Sequence, residues 1–178
     1  DAATAHRIAP GWVYGFAELS AAQPAIRFDF GRDTSSVAAG YTGVADTTIY
    51  NAALGHGWED GVGSPVTSIE RNVSSGRDDL TRDFNATDDG TFAVELANGT
   101  YDVTITVGDS GSQARDQMGI YFEQGEAGQQ VDWFSTAAGQ VLTKTYTVSV
   151  SGGRLEVRLL DMGGSDPYVS IQSLVVSG

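Results

Sequence analysis

The stretch Thr91–Asp109, TFAVELANGTYDVTITVGD, decides the fold. Phe92, Val94 and Leu96 alternate with small or polar residues, and after Asn98-Gly99 the alternation resumes through Tyr101, Val103, Ile105 and Val107. A period of two sends successive side chains to opposite faces of a strand, so each run has one apolar face. Asn and Gly tolerate the positive φ of a tight turn whose twist matches its flanking strands, and the spacing predicts a hairpin. A strand pair with one apolar face needs a second layer packed against it.

Working outward, Ile26–Gly31 (IRFDFG) reads as a strand closed by glycine, and Arg32–Gly63 as long loops with short strands. Met118, Ile120 and Phe122 alternate as a strand, while Val131–Phe134 is short enough to be a strand end or a loop tip. Thr143–Val150, Ser151-Gly152-Gly153 and the run Leu155, Val157, Leu159 predict a second hairpin. Val169–Val176 supplies a last strand, whose Leu174-Val175-Val176 breaks the alternation and suggests a bulge or two-sided burial. Residues 1–25 hold no sustained period. Pro10-Gly11 marks a turn there, and Trp12, Tyr14 and Phe16 suggest a linker and edge segment laid on the domain formed by residues 26–178. No stretch carries a capped 3.6-residue period, so the expectation is all-β, an antiparallel β-sandwich or barrel.

The net charge of −13, with Lys144 the only lysine, opposes binding to a phosphate backbone, so nucleic acid is not expected as a partner. No apolar run reaches membrane-spanning length, so no membrane partner is expected either. Without cysteine there is no disulfide framework, no thiolate metal site and no cysteine nucleophile. The chain begins at Asp1 with no signal-like segment, so any targeting peptide is expected to be already removed from a secreted protein.

The order Phe28-Asp29-Phe30-Gly31, Gly40-Tyr41-Thr42-Gly43-Val44, Gly55-His56-Gly57-Trp58, Arg77–Phe84 (RDDLTRDF), Asn98-Gly99-Thr100-Tyr101 and Gly108-Asp109 resembles the galactose-binding-like β-sandwich domain of agarases and YXIM-type esterases. The resemblance runs from residue 26 to residue 176. It departs at Ala97, where the family pattern often has proline, and at Gln172, where asparagine is usual. It implies a jelly-roll sandwich that serves as a carbohydrate-binding module. The partners implied are an acidic or galactose-containing polysaccharide and an adjacent catalytic domain in the full-length protein.

Several residues are candidates for chemistry. Ser110, in GDSG, tempts a serine-hydrolase reading, but only His6 and His56 could act as base, and Ser110 follows a strand without opening a helix. Adjacent acids such as Asp78-Asp79 and Asp88-Asp89 point to opposite faces of a strand and make no glycosidase pair by themselves. A non-catalytic domain is therefore expected. Sugars present flat C–H faces to aromatic rings, and polar groups fix their hydroxyls. Trp133, beside Asp132 in a polar stretch, is either a sugar platform or a plug under its loop. Tyr168 and Trp58 are further aromatic candidates, with a core or anchoring role the alternative for Trp58. Arg115 could grip a sugar carboxylate or be a solvated loop charge, and Asp109 opens its loop. Arg77 and Arg82 read as members of a structural network. Calcium is the one cofactor considered, as a structural ion with Asp29 and Asp161 as ligands.

Overall fold

A computed structural model describes residues 23–61, 63–71, 77–122 and 129–178. The expected edge segment with Trp12, Tyr14 and Phe16 lies outside them. The described chain forms twelve strands: β1 (Ile26–Phe30), β2 (Thr42–Val44), β3 (His56–Trp58), β4 (Thr67–Glu70), β5 (Asp83–Thr87), β6 (Asp89–Glu95), β7 (Gly99–Gly108), β8 (Arg115–Phe122), β9 (Gln129–Thr136), β10 (Val141–Val150), β11 (Arg154–Asp161) and β12 (Val169–Ser177). No helix occurs among the described residues.

The strands make two sheets packed as a jelly-roll sandwich. In the seven-stranded sheet the order is β10-β7-β12-β1-β2, with β5 also pairing β12 and β4 pairing β5. The five-stranded sheet runs β3-β6-β11-β8-β9. Pairing is antiparallel throughout except between β1 and β2. Phe92 and Val94 of one sheet meet Val103, Ile105 and Val107 of the other in one buried core, joined by Phe28, Phe30 and Trp58. Trp58 stacks edge-on against Phe30 and Phe92, at 5.7 and 5.4 Å between ring centroids. The interior aromatic face of β1, β3 and β6 is thus a cluster of T-shaped contacts.

Neither expected hairpin exists. β6 and β7 belong to different sheets, as do β10 and β11, so both turns are arches that carry the chain across the sandwich. An arch and a hairpin present the same alternation, because in both the apolar faces end up inside the core. The Asn98-Gly99 pair therefore has another use. Neither residue takes a positive φ, whereas Gly153 in the second arch does, at 76°. Asn98 Oδ1 accepts the Gly153 N–H at 2.8 Å, and the Gly153 carbonyl accepts the Leu96 N–H at 3.0 Å. The two arches stack on each other, as β6 does on β11 and β7 on β10. In β12 the irregularity sits at Gln172: the register against β7 shifts between Ile171 and Ser173, which lets both Ile171 and Leu174 reach the core.

Arch geometry makes a test by glycine replacement. A side chain at Gly99 would meet only the Tyr101 ring, at an ordinary 3.4 Å. Gly99→Ala should leave stability unchanged or raise it by up to about 1 kcal/mol. Gly153→Ala should lower it by about 1–2 kcal/mol, because a side chain there must adopt the left-handed region. Denaturant melts check this, and a type I′ hairpin at Asn98-Gly99 would make Gly99→Ala the damaging change.

Candidate functional site

β8 and β9 pair as the outer strands of the five-stranded sheet, with Met118 opposite Phe134 and Gly119 opposite Trp133. Met118 and Phe134 face the core, so alternation turns Trp133 outward, where it is 59% exposed. Gly119 leaves a gap beside it. A methyl group placed there would lie 3.0 Å from Met162 Cγ and 3.1 Å from its sulfur, so Met162 occupies the space over Gly119. Met162 is itself 41% exposed. The Tyr121 hydroxyl donates to the Met162 sulfur at 3.2 Å, and the Arg158 guanidinium stands 5.9 Å from the Tyr121 ring centroid. Arg158 in turn makes a two-pronged pair with Asp89 at 2.7 and 2.8 Å. The result is an open apolar patch of Trp133, Met162 and Tyr121, bordered by a fixed charged pair.

Three consecutive residues at the start of β8 hold the loop that carries Met162. Arg115 Nη1 donates to Asp166 at 2.8 Å. Asp116 accepts the N–H groups of Ser165 and Asp166 and the Ser165 hydroxyl at 2.9–3.0 Å, and these bonds hold its carboxyl below the usual range. Gln117 accepts the Met162 N–H at its carbonyl, and its side-chain amide faces Met162 O and Gly164 N–H. Gln117 adopts φ 48° where the β8–β9 register slips between Arg115 and Met118. A bulge there re-aims consecutive side chains toward the loop.

Below this loop lies a buried ion-pair ladder. Asp109 accepts from Arg71 at 2.9 and 2.6 Å, from Arg115 at 2.8 Å and from the Gly111 N–H at 2.7 Å. Burial alone would raise the Asp109 carboxyl, but these donors and the two guanidinium charges hold it below the ordinary carboxylate range. Both guanidiniums stand over Phe84, with their central carbons 5.4 and 5.6 Å from its ring centroid.

The candidate residues separate accordingly. Trp133 is exposed on the outer face of its strand. Tyr168 is 42% exposed and lies 5.9 Å from the Arg115 guanidinium, at the loop end of the sandwich. Arg115, only 3% exposed, is neither a solvated charge nor open to a ligand, and Asp109 is sealed beneath it. Both correct the ligand-contact expectation, because both side chains are buried within the ladder. Trp58 is 1% exposed and belongs to the core. Asp132 bridges the edges of the two sheets, accepting from Lys144 at 2.5 Å, from Tyr146 at 3.0 Å and from the Trp133 N–H at 2.9 Å. Ser110 is buried at the loop end, whereas His56 pairs with Val94 near the arches, so these two form no serine–histidine pair, and His6 lies outside the described residues. Gly119, Tyr121 and Met162 were missed. The lone glycine in RDQMGIYF was the available signal, since glycine inside a strand marks a close approach.

Asp29 and Asp161 do not converge. Asp29 feels Asp83 and Asp79, while Asp161 feels Asp116, Asp166 and Asp88. Among the described residues no group of three or more His, Asp or Glu side chains could hold a metal ion. Asp29 instead neighbours Asp83, whose carboxylate crowds Gly31 so closely that a methyl group there would sit 2.2 Å from its oxygen. Both acids are buried, and each has one Oδ1 without a partner. Burial pushes Asp29 up to about 6, against the opposing Ala38 N–H bond. A raised folded-state pKa stabilises below the unfolded value and loses that contribution as pH rises through about 6. In chelator, wild type should therefore lose up to about 3 kcal/mol relative to Asp29→Asn between pH 4 and pH 7.5. Parallel pH profiles for the two proteins would contradict this.

The sequence profile of the beta-agarase/YXIM esterase-like, galactose-binding domain-like family matches residues 26–175. Beta-agarase A of Zobellia galactanivorans is 35% identical over 143 residues, covering 80% of this chain and 25% of the agarase. Among solved structures, protein YXIM of Bacillus subtilis superposes with a TM-score of 0.60 at 19% identity, over 86% of this chain and 39% of that one. A beta-glucuronidase of Bacteroides uniformis reaches 0.56 at 12% identity, over 86% of this chain and 18% of its own. The chain thus spans a quarter of the agarase and under half of either structural neighbour. Fold is what the two structural likenesses share. The family match covers every described strand except the end of β12, and the chain belongs to the galactose-binding domain-like family of beta-agarases and YXIM esterases.

Proposed function

We propose that this domain is a secreted, non-catalytic carbohydrate-binding module that holds an attached polysaccharide-degrading enzyme near its substrate. The observation that carries the reading is the exposed Trp133–Met162–Tyr121 patch on the outer face of the five-stranded sheet. A tryptophan left 59% exposed on a rigid strand forgoes burial that the fold could otherwise use. It gains a function if a sugar ring covers it. The Arg158–Asp89 pair at the border offers charged hydrogen-bonding groups for hydroxyls, held by each other in the free protein. Weak affinity at one such patch suffices, because tethering raises the local concentration of the catalytic domain at its substrate. Relatedness to a quarter of a beta-agarase supports a galactose-containing polymer as ligand.

The same patch also fits a second role. A domain that is one part of a longer chain can bury an apolar patch against its neighbour, and would then act as a brace. Affinity gels separate the two. Trp133→Ala should weaken retention on agar or galactan by ten- to a hundredfold, about 1.4–2.8 kcal/mol, with an unchanged melting temperature. Arg115→Ala should instead destabilise the fold by about 3 kcal/mol, since it takes one of two guanidiniums from buried Asp109 and the charge partner from Asp166. Wild-type protein retained on none of a panel of galactan, agar, pectin and alginate would leave the brace.

Calcium, in this reading, is held by Asp29 and Asp83 and braces the segment after β1. Calcium added to the chelated protein at pH 7.5 then raises its melting temperature, and Asp29→Asn abolishes the rise. An unchanged wild-type midpoint would remove the ion from the account.

A further inference from the structure

Most of the described arginines of this acidic chain are engaged. Arg32, Arg71, Arg82, Arg115, Arg154 and Arg158 each lie within 4.0 Å of a carboxylate. Among the described residues Arg27 and Arg77 do not, and Arg27 is an exposed strand residue bonded to the Ala25 carbonyl. Arg77 is different. It is partly buried, its Nη1 is buried without a partner, and its Nη2 lies 3.9 Å from where a methyl group on Gly139 would sit. In a chain of net charge −13, a buried guanidinium nitrogen facing no acid is a poor structural choice.

It stands beside Gly139, near the turn that carries Gly111. Gly139 approaches Gly111, and Gly111 abuts the Arg71 side chain, where a methyl group would lie 2.8 Å from Cδ and Nε. Arg71 already shares the Asp109 carboxylate with Arg115. The Asp109 and Asp166 carboxylates are thus taken up by Arg71 and Arg115. The Ser110 hydroxyl and Arg115 Nε are also buried with no partner. Glycines at 111 and 139 keep the approach to Arg71 and Arg77 clear of side chains.

Resting on the carbohydrate-binding reading above, we propose that Arg77, with Arg71 beside it, binds an anionic substituent of the polysaccharide, a carboxylate or a sulfate ester. Arg77 stands beside Gly139, six residues beyond Trp133, so at most about 20 Å of chain separates it from the platform. One oligosaccharide spans that distance while stacking on Trp133. The field of −13 repels a dense polyanion, although salt screens it beyond about 8 Å. The fitting ligand is thus a mainly neutral galactan with sparse acidic substituents.

Calorimetry with matched oligogalactans tests this: one neutral, one carrying a single sulfate ester, one a single pyruvyl acetal, with polygalacturonate as the dense polyanion. Wild type should bind at least one substituted sugar about tenfold tighter than the neutral one, and polygalacturonate no tighter than the neutral sugar. Whichever substituent shows the gain identifies the source of the charge. Arg77→Gln should erase that gain while leaving neutral binding and the melting temperature intact, and Arg77→Lys should keep part of it. Equal binding of neutral and substituted sugars, or a gain that survives Arg77→Gln, overturns the proposal and leaves the module reading standing. Failure of every sugar to bind overturns both.

Discussion

Asp109 sits at the point where the two sheets are tied together. It follows β7 of the seven-stranded sheet and binds Arg115, the first residue of β8 in the five-stranded sheet. Arg71, just past β4, completes its cage, and Arg115 extends the chain of charges to Asp166 in the last loop. A buried carboxylate is tolerable only when its charge and lone pairs are met, and here four donor contacts meet them. The arrangement makes the loops at this end of the sandwich one interlocked unit. Buried charges met in this way cost about as much to desolvate as they return, so the ladder fixes geometry more than it adds net stability.

That rigidity reaches the surface. Arg115, Asp116 and Gln117 all grip the loop from Met162 to Asp166, and the loop lays Met162 over Gly119 beside Trp133. A patch assembled from fixed parts would lose little freedom on meeting the ligand proposed for it. The Lys144–Asp132–Tyr146 clasp plays the corresponding part at the sandwich edge. Burial and the hydrogen bond to Asp132 push the Tyr146 hydroxyl far above its ordinary range, so it remains a donor at all working pH values. Asp132 thereby anchors β9, the strand that displays Trp133.

The alternation of Phe92, Val94, Val103, Ile105 and Val107 made the all-β class and the buried core legible from sequence, since period two has one structural meaning. It could not tell a hairpin from an arch. That choice depends on which strands become neighbours, and both solutions bury the same faces. Asn98-Gly99 misled for the same reason: asparagine was selected for a side-chain bond to Gly153, not for a positive φ. At the site, Trp133 was legible because a large aromatic in polar company is a local anomaly. Arg115 and Asp109 were misread as exposed, since burial of a charge depends on partners such as Arg71 and Asp166, tens of residues away. Met162 joins Trp133 only through the loop geometry, which no local pattern encodes.

The account stands on the outer face of the five-stranded sheet being where sugar binds. The direct measurement is a two-dimensional NMR titration of the isotopically labelled domain with a neutral galacto-oligosaccharide. The indole N–H of Trp133 and the backbone amides of Gly119, Tyr121 and Met162 should shift in a saturable, concentration-dependent manner, while those of Asn98 and Gly153 in the arches stay fixed. Saturable shifts confined to the arches or to the outer face of the seven-stranded sheet would contradict it.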